Sequence, residues 1–362
     1  MTHINKIKFQ NFRNFISTEL SFNNNCNILF GDNGSGKTNI LEGISLLYKG
    51  RGFKNSKILD LIFKNEDKFI IFGEFEKNKN KYDIIVNSIK DGLRFKKEIY
   101  INNDKKKSSL DFIYSAITYL FFLPEMERLF IASPNYRRNF IDRLIFSVNK
   151  DYNKLINLYK KNLLERSKLL ISDKIDKDWI DIIEKEISKY AIQIYNLREN
   201  QINILNNYLK IIKLSENFPF EIELKLEDKY FNKNQTTNEY FQFLSESRNY
   251  DKKFGGSKIG PHKSDITATI NKGFDASKLS TGQQKTLVLM IIIAQCSYLI
   301  NEKGTKPILL FDEVCSHLDS TNRKILLNMT QQFDAQFFFT GTEKSLFSFM
   351  STNASFYNIT DL

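Results

Sequence analysis

The segment Gly31-Asp32-Asn33-Gly34-Ser35-Gly36-Lys37-Thr38 constrains this 362-residue chain more than any other stretch. It has the G-x-x-x-x-G-K-T spacing of a phosphate-binding P-loop. Before it, Cys26 to Phe30 reads as a buried strand; after it, Ile40, Leu41, Ile44 and Leu47 set a helical period. Strand, loop and helix in that order are what the chemistry requires. The glycines let successive backbone N–H groups turn towards a triphosphate, and the helix N-terminus adds the positive end of its dipole. Lys37 is expected to reach the β- and γ-phosphates, and the Thr38 hydroxyl to ligate Mg²⁺. The expected ligand is a nucleoside triphosphate.

A second apolar run, Ile308-Leu309-Leu310-Phe311, ends in Asp312-Glu313. A buried parallel strand would deliver both carboxylates at its C-terminal end, where α/β sheets hold their ligands. Asp312 is then expected to hold Mg²⁺ through water, and Glu313 to accept a proton from the water attacking the γ-phosphate. With Lys37 these form the expected catalytic set.

Forty-one per cent hydrophobic and 26% charged residues describe an ordinary globular chain of one large or two medium domains. No uninterrupted apolar run approaches the ~20 residues that span a bilayer. Met1-Thr2-His3-Ile4-Asn5-Lys6 lacks an apolar signal core, so a cytoplasmic protein without a membrane is expected. Cys26, Cys296 and Cys315 sit in apolar contexts without metal-ligand spacing and read as buried thiols. The net charge of +11 invites a nucleic-acid partner, but Lys, Asn, Ile and Phe are abundant together, as an AT-rich genome would make them, so charge adds little.

Residues 4–12 and Thr18 to Phe22 read as a hairpin around Asn11 to Asn14; Phe69 to Glu76, Lys81 to Ile89 and Leu93 to Ile101 add three strands, the last two joined at Asp91-Gly92. They predict an antiparallel β-subdomain beside the nucleotide site. From Arg137 to about Leu214 glycine and proline nearly vanish, and two long helices are expected, broken at Ser172-Asp173-Lys174. Leu155, Leu158, Asn162 and Leu163 or their neighbours would mark one face of the first, and Trp179, Ile182, Ile183, Ile187, Tyr190, Ile194, Leu197, Ile202, Leu205, Leu209 and Ile212 the stripe of the second. Strands at Phe220 to Leu226 and Ile266 to Ile270 flank a polar helix near Asn238 to Arg248. The last 85 residues return to α/β character, ending on a strand at Phe337 to Thr340.

Leu279-Ser280-Thr281-Gly282-Gln283-Gln284-Lys285 precedes an apolar helix about thirty residues before Asp312. Here the chain resembles the ABC-type ATPases, whose signature reads L-S-G-G-Q; Thr281 replaces the first glycine. The resemblance implies that Ser280, Gly282 and Gln283 of one subunit meet the γ-phosphate held by the P-loop of another. Ser280 as an ordinary helix cap is the competing reading. Ser316-His317-Leu318-Asp319 resembles the loop that crosses the dimer interface in this class, which adds Asp319 to the expected nucleotide set. Thr340-Gly341-Thr342 stands where many members carry a switch histidine, so a γ-phosphate contact from that loop is in doubt. His317 and His262 are read as structural rather than catalytic.

More than two hundred residues separate Lys37 from Ser280. That is too many for a transporter subunit and too few for a long coiled-coil arm. Collinear stretches along the whole chain resemble the RecF family of recombination mediators: Lys8 to Phe15, Lys37 to Glu42, Gly50-Arg51-Gly52-Phe53, Phe122-Leu123-Pro124-Glu125, Ser133 to Asp142 and Gly260 to Asp265. The resemblance implies an α/β fold: an ABC-type head from residues 1–135 and 255–362, with the antiparallel β-subdomain, and a mainly helical insertion from 136–254. It implies a weak ATPase, stimulated by DNA, that uses ATP and Mg²⁺, forms an ATP-dependent homodimer clamping DNA, and works with RecO and RecR to load the recombinase on gapped single-stranded DNA. Glu125 falls where related ATPases carry a loop that senses Mg²⁺. Arg51, Arg137 and Arg138 are the candidate DNA or head–head contacts, with intramolecular ion pairs as their alternative. The competing function is an SMC-like or OLD-type ATPase head acting with a nuclease; the OLD-type form needs a carboxylate-rich metal domain after the ATPase core.

Overall fold

The structure, a computed structural model, describes residues 2–92, 94–172, 176–216, 221–232, 234–271, 273–316, 319–350 and 354–362. Its contacts divide the chain into two compact units, Met1–Glu127 with Val288–Leu362, and Arg128–Leu287.

The first unit holds two five-stranded sheets. The parallel one runs β13 (Ala354–Asn358), β3 (Cys26–Phe30), β12 (Gln336–Gly341), β11 (Ile308–Phe311), β7 (Tyr119–Phe122). Every residue of β11 and β12 is buried, the pattern of strands covered on both faces. Because all four pairings are parallel, the C-terminal ends of β3, β12, β11 and β7 lie along one edge. The antiparallel sheet runs β2 (Phe15–Ser21), β1 (Thr2–Phe12), β4 (Ile70–Lys77), β5 (Asn80–Asp91), β6 (Arg94–Ile101). The expected Asp91-Gly92 hairpin is present, with Asp91 opposite Arg94; Leu93 lies outside the described residues.

Helix α1 (Lys37–Leu46) seats on β1 and β4 where side chains are missing. A Cβ on Gly43 would lie 2.2 Å from the Phe9 ring, and one on Gly73 would lie 2.6 Å from Leu47. Phe9 in turn stacks between Phe12 and Phe15, at 5.2 and 5.5 Å. The β-subdomain beside the P-loop helix is therefore real. Helix α2 (Lys107–Ala116) and strand β13 were not anticipated. Lys107 opens α2.

The second unit is built on α3 (Pro134–Val148), α4 (Tyr152–Ile171), α5 (Lys177–Glu216) and α6 (Thr237–Phe254), with a small antiparallel sheet of β8 (Ile222–Glu227), β9 (Asp265–Ile270) and β10 (Phe274–Asp275). The expected first long helix is two, because the chain turns at Asn149, whose side chain accepts the Asp151 N–H at 3.1 Å. Of the expected break at Ser172-Asp173-Lys174, Ser172 ends α4 and the other two lie outside the described residues. The buried face of α4 is Tyr152, Tyr159, Arg166 and Leu170, while Leu155, Leu158 and Leu163 are half-buried; on α5 Ile183, Ile187, Ile194, Ile202, Leu205, Leu209 and Ile212 are buried as expected, and Trp179 and Ile182 are exposed. The cause is a buried ion network: Arg166 meets Glu184 and Asp251, each at 2.7 Å, and donates to the Leu244 carbonyl at 2.8 Å. Contacts also group 128–135 and 255–287 with this unit rather than with the head, since β9 pairs with β8 along its length.

Helix α7 (Thr281–Asn301) is the one helix among the described residues long and apolar enough to cross a bilayer, and it is buried. It is a core helix. Helix α8 (Ser320–Gln332) links β11 and β12.

Candidate nucleotide site

β3 stops at Phe30, and the loop that follows is pinned from two directions. Thr360 accepts the Asp32 N–H at 2.8 Å. From the hairpin tip, Asn14 donates to the Ser35 carbonyl at 3.0 Å and accepts from Asn39 at 2.8 Å. Gly36 is required here: its φ is 105°, and a Cβ would sit 2.6 Å from both Asn14 and Phe15. It precedes α1, which has no side-chain cap and no acidic residue in its first turn. The first amides of α1 are therefore left for an anion. Around Gly34 there is open space, and Asp32, Asn33 and Gly34 are exposed.

Lys37 is buried, with Nζ 2.7 Å from the carbonyls of Gly31 and of Asp32. Burial pulls its pKa below the ordinary lysine range, while Glu313, Asp312 and Asp32 pull it back up. The ammonium is thus parked on the loop's own carbonyls beside three carboxylates. The Thr38 hydroxyl donates to Asp312 Oδ1 at 2.8 Å, bringing together residues 274 positions apart. A hydroxyl and a carboxylate held in contact suit Mg²⁺, which takes few protein ligands and completes its shell with phosphate oxygens and water. Among the described residues no cluster of three His, Cys, Asp or Glu competes for a metal. Glu313, next to Asp312, is half-buried and has a φ of 51°.

Glu125 is exposed in a short 3₁₀ turn directly after β7, the neighbour of β11, and no bond joins it to Thr38 or Asp312 among the described residues. In the second unit, Ser280 and Gln283 close a reciprocal cap on α7: Ser280 N–H donates to Gln283 Oε1 at 3.1 Å, and Gln283 N–H to Ser280 Oγ at 3.3 Å. Ser280 and Gln283 are exposed, and nothing lies within 4 Å of a Cβ placed on Gly282. Asp319 caps α8 through the Asn322 N–H at 2.7 Å; His317 and Leu318 lie outside the described residues.

Two of the basic candidates are engaged inside the second unit. Arg137 forms a bidentate pair with Asp265, 2.7 Å at each contact, and Arg138 is buried against the Ser264 carbonyl. Arg51 alone of the three is exposed, at the rim of a pocket of about 570 Å³ lined also by Lys96, Lys97 and Lys105. Lys97 bonds the Leu46 and Tyr48 carbonyls, and burial pushes its pKa down to about 7. The Gly260–Asp265 stretch also serves packing. Arg198 pairs with Asp142 at 2.8 Å, and His262 meets Tyr159 at 2.7 Å.

Sequence reasoning missed three groups around the loop. Asn14 and Thr360 pin it, and Arg13 forms a bidentate bond with the fully buried Glu42 of α1, at 2.8 and 3.0 Å. The third is Thr340, bonded to Asp312 and to the Glu313 amide. Arg13 and Asn14 carried a signal as positions in a hairpin tip, and Thr340 as part of the loop where many members carry a switch histidine; Thr360 carried none.

A parallel sheet that aligns a P-loop with an Asp-Glu strand end, an antiparallel sheet on the P-loop helix and a long helical insertion before the signature helix define an ABC-type ATPase head. The chain matches the RecF/RecN/SMC N-terminal domain over residues 3–361. It is 31% identical to the DNA replication and repair protein RecF of Rickettsia massiliae, across 94% of each chain, and 28% identical to that of Rhizobium rhizogenes, across 98% and 96%. The solved structure of the recombination mediator protein RecF-ATP in the RecFOR pathway superposes with a TM-score of 0.82 at 28% identity, covering 99% and 98%. An SMC head bound to the C-winged helix domain of ScpA shares the fold, with a TM-score of 0.57 at 19% identity. The chain belongs to the RecF/RecN/SMC family and, within it, to the RecF proteins.

Proposed function

We propose that this protein is an ATP-driven switch of DNA replication and repair that closes as a homodimer on DNA when ATP binds and opens when it is hydrolysed. The observation that carries the reading is the contact of Thr38 with Asp312 beside Lys37 and Glu313. Lys37 exchanges its two loop carbonyls for phosphate oxygens, and the free amides of α1 take the rest of the anion. Thr38 and Asp312 would hold Mg²⁺, which when bound offsets phosphate charge. Glu313 accepts the proton of the attacking water.

The signature residues Ser280, Gly282 and Gln283 are read as the partner's half of the site, reaching the γ-phosphate across a dimer; the exposure of Ser280 and Gln283 and the open space beside Gly282 leave them free to do so. Asp319 belongs to the same interface. Arg51 is the remaining candidate for DNA contact. RecO and RecR are the expected partners, on the strength of the RecFOR pathway to which the RecF-ATP structure belongs.

Glu313→Gln tests the reading. It should bind ATP yet turn over on the order of 10² times more slowly or worse, and should sediment as a dimer that retains DNA. DNA retention should fall steeply with salt and ignore base sequence, because phosphate contacts release counterions. Wild-type turnover by the variant, or DNA binding unchanged by salt, would reject it.

A further inference from the structure

β12 is the middle strand of the parallel sheet, with the P-loop strand β3 on one side and β11 on the other. Its C-terminal end consequently touches both halves of the site. The Gly341 carbonyl accepts the Gly31 N–H at 3.3 Å. The Thr340 hydroxyl donates to Asp312 Oδ1 and accepts the Glu313 N–H, each at 2.8 Å. Thr340 is 0% exposed. Glu313 sits in the left-handed region, with φ 51°, a conformation that a residue with a Cβ adopts only when its surroundings impose it.

We infer that Thr340 is a positioning residue for ATP hydrolysis: its hydroxyl fixes the Asp312 carboxylate and holds Glu313 in the left-handed turn that presents it at the strand-end edge. The inference rests on the roles proposed above for Asp312 and Glu313. Thr340 is not itself a catalytic group, because it is fully buried and its one proton goes to Asp312, leaving none to donate to a substrate. Asp312 Oδ1 receives two hydroxyl protons, from Thr38 in the P-loop and from Thr340 in β12. The carboxylate is thereby clamped between the two motifs. Where many ABC-type ATPases reach the nucleotide with a histidine from this loop, this chain has Gly341-Thr342 and works from behind the acidic pair.

Thr340→Val keeps the side-chain shape and removes the hydroxyl; Thr340→Ser keeps the hydroxyl. Thr340→Val is expected to lose kcat on the order of 10²-fold through misplacement of Glu313, with the KM for ATP changed less than about threefold. Thr340→Ser should recover turnover to near wild type. Calorimetry gives a readout independent of activity: ATP affinity without Mg²⁺ should be equal in all three proteins, and the gain on adding Mg²⁺ should shrink only in Thr340→Val. Wild-type turnover in Thr340→Val, or a folded Thr340→Ser as slow as Thr340→Val, would overturn the positioning role. If Thr340→Val does not fold, Thr340→Ser decides alone: full turnover supports the inference and its loss rejects it. Glu313→Gln run alongside separates the two levels, since its full activity would reject the reading of the acidic pair rather than the role of Thr340.

Discussion

At the scale of single residues the site is a set of polar groups satisfying one another until a nucleotide replaces them. Lys37 is the clearest case, with two carbonyl partners it must release. Burial lowers its pKa, and the carboxylates of Glu313, Asp312 and Asp32 oppose that shift. Lys37→Met should weaken ATP binding about 100-fold, the scale of a lost charged hydrogen bond of ~3 kcal/mol, and calorimetry reads it directly. Unchanged affinity would remove the P-loop from the account. His262 shows the opposite arrangement. It is half-buried against Tyr159, and desolvation pushes its pKa down to about 4 from 6.5. Between those values the unfolded chain takes up the proton and the folded chain does not, so stability falls as pH drops from about 6.5 to 4. The loss is on the order of 2–3 kcal/mol at the lower end. The single tryptophan, Trp179 on α5, reports denaturant unfolding of that unit. His262→Gln should flatten the acid dependence of the midpoint relative to wild type; identical slopes would contradict the assignment.

At the scale of elements, what was legible in the sequence was what local chemistry dictates. The P-loop, the Asp312-Glu313 strand end and the β1–β2 hairpin follow from spacing and alternation, and all three are present. The roles of Thr340 and Thr360 were not legible, because they depend on the order of strands in the sheet, with β12 beside β3 and β13 at its edge. The stripe read on α5 is largely buried, but the face read on α4 misled for a related reason. Ion pairs let Arg166, Glu184 and Arg198 occupy core positions, which a hydrophobic stripe does not mark. Arg137 and Arg138 went the same way, from candidate DNA contacts to internal ties. Packing of α1 on the antiparallel sheet gives a stability test. Gly43→Ala gains ~1 kcal/mol of helix propensity but forces a methyl group into Phe9, itself held by Phe12 and Phe15. Overpacking of ~1–3 kcal/mol should win, lowering the thermal midpoint by several degrees. A raised midpoint would show that Phe9 can move.

For the whole molecule, one chain carries a P-loop in its first unit and an exposed, reciprocally capped pair of signature residues, Ser280 and Gln283, near the end of its second. The account joins these between two copies rather than within one. The most direct measurement is sedimentation of Ser280→Arg in saturating ATP and Mg²⁺, beside wild type and with ATP binding checked by calorimetry. As a helix cap alone, Ser280 is worth about 1 kcal/mol, too little to unfold a protein of ordinary stability or to affect assembly. The account predicts a folded Ser280→Arg that binds ATP as wild type does, because Lys37 and Thr38 are untouched, and stays monomeric where wild type dimerises. Dimerisation of Ser280→Arg with wild-type ATP dependence would contradict the shared site.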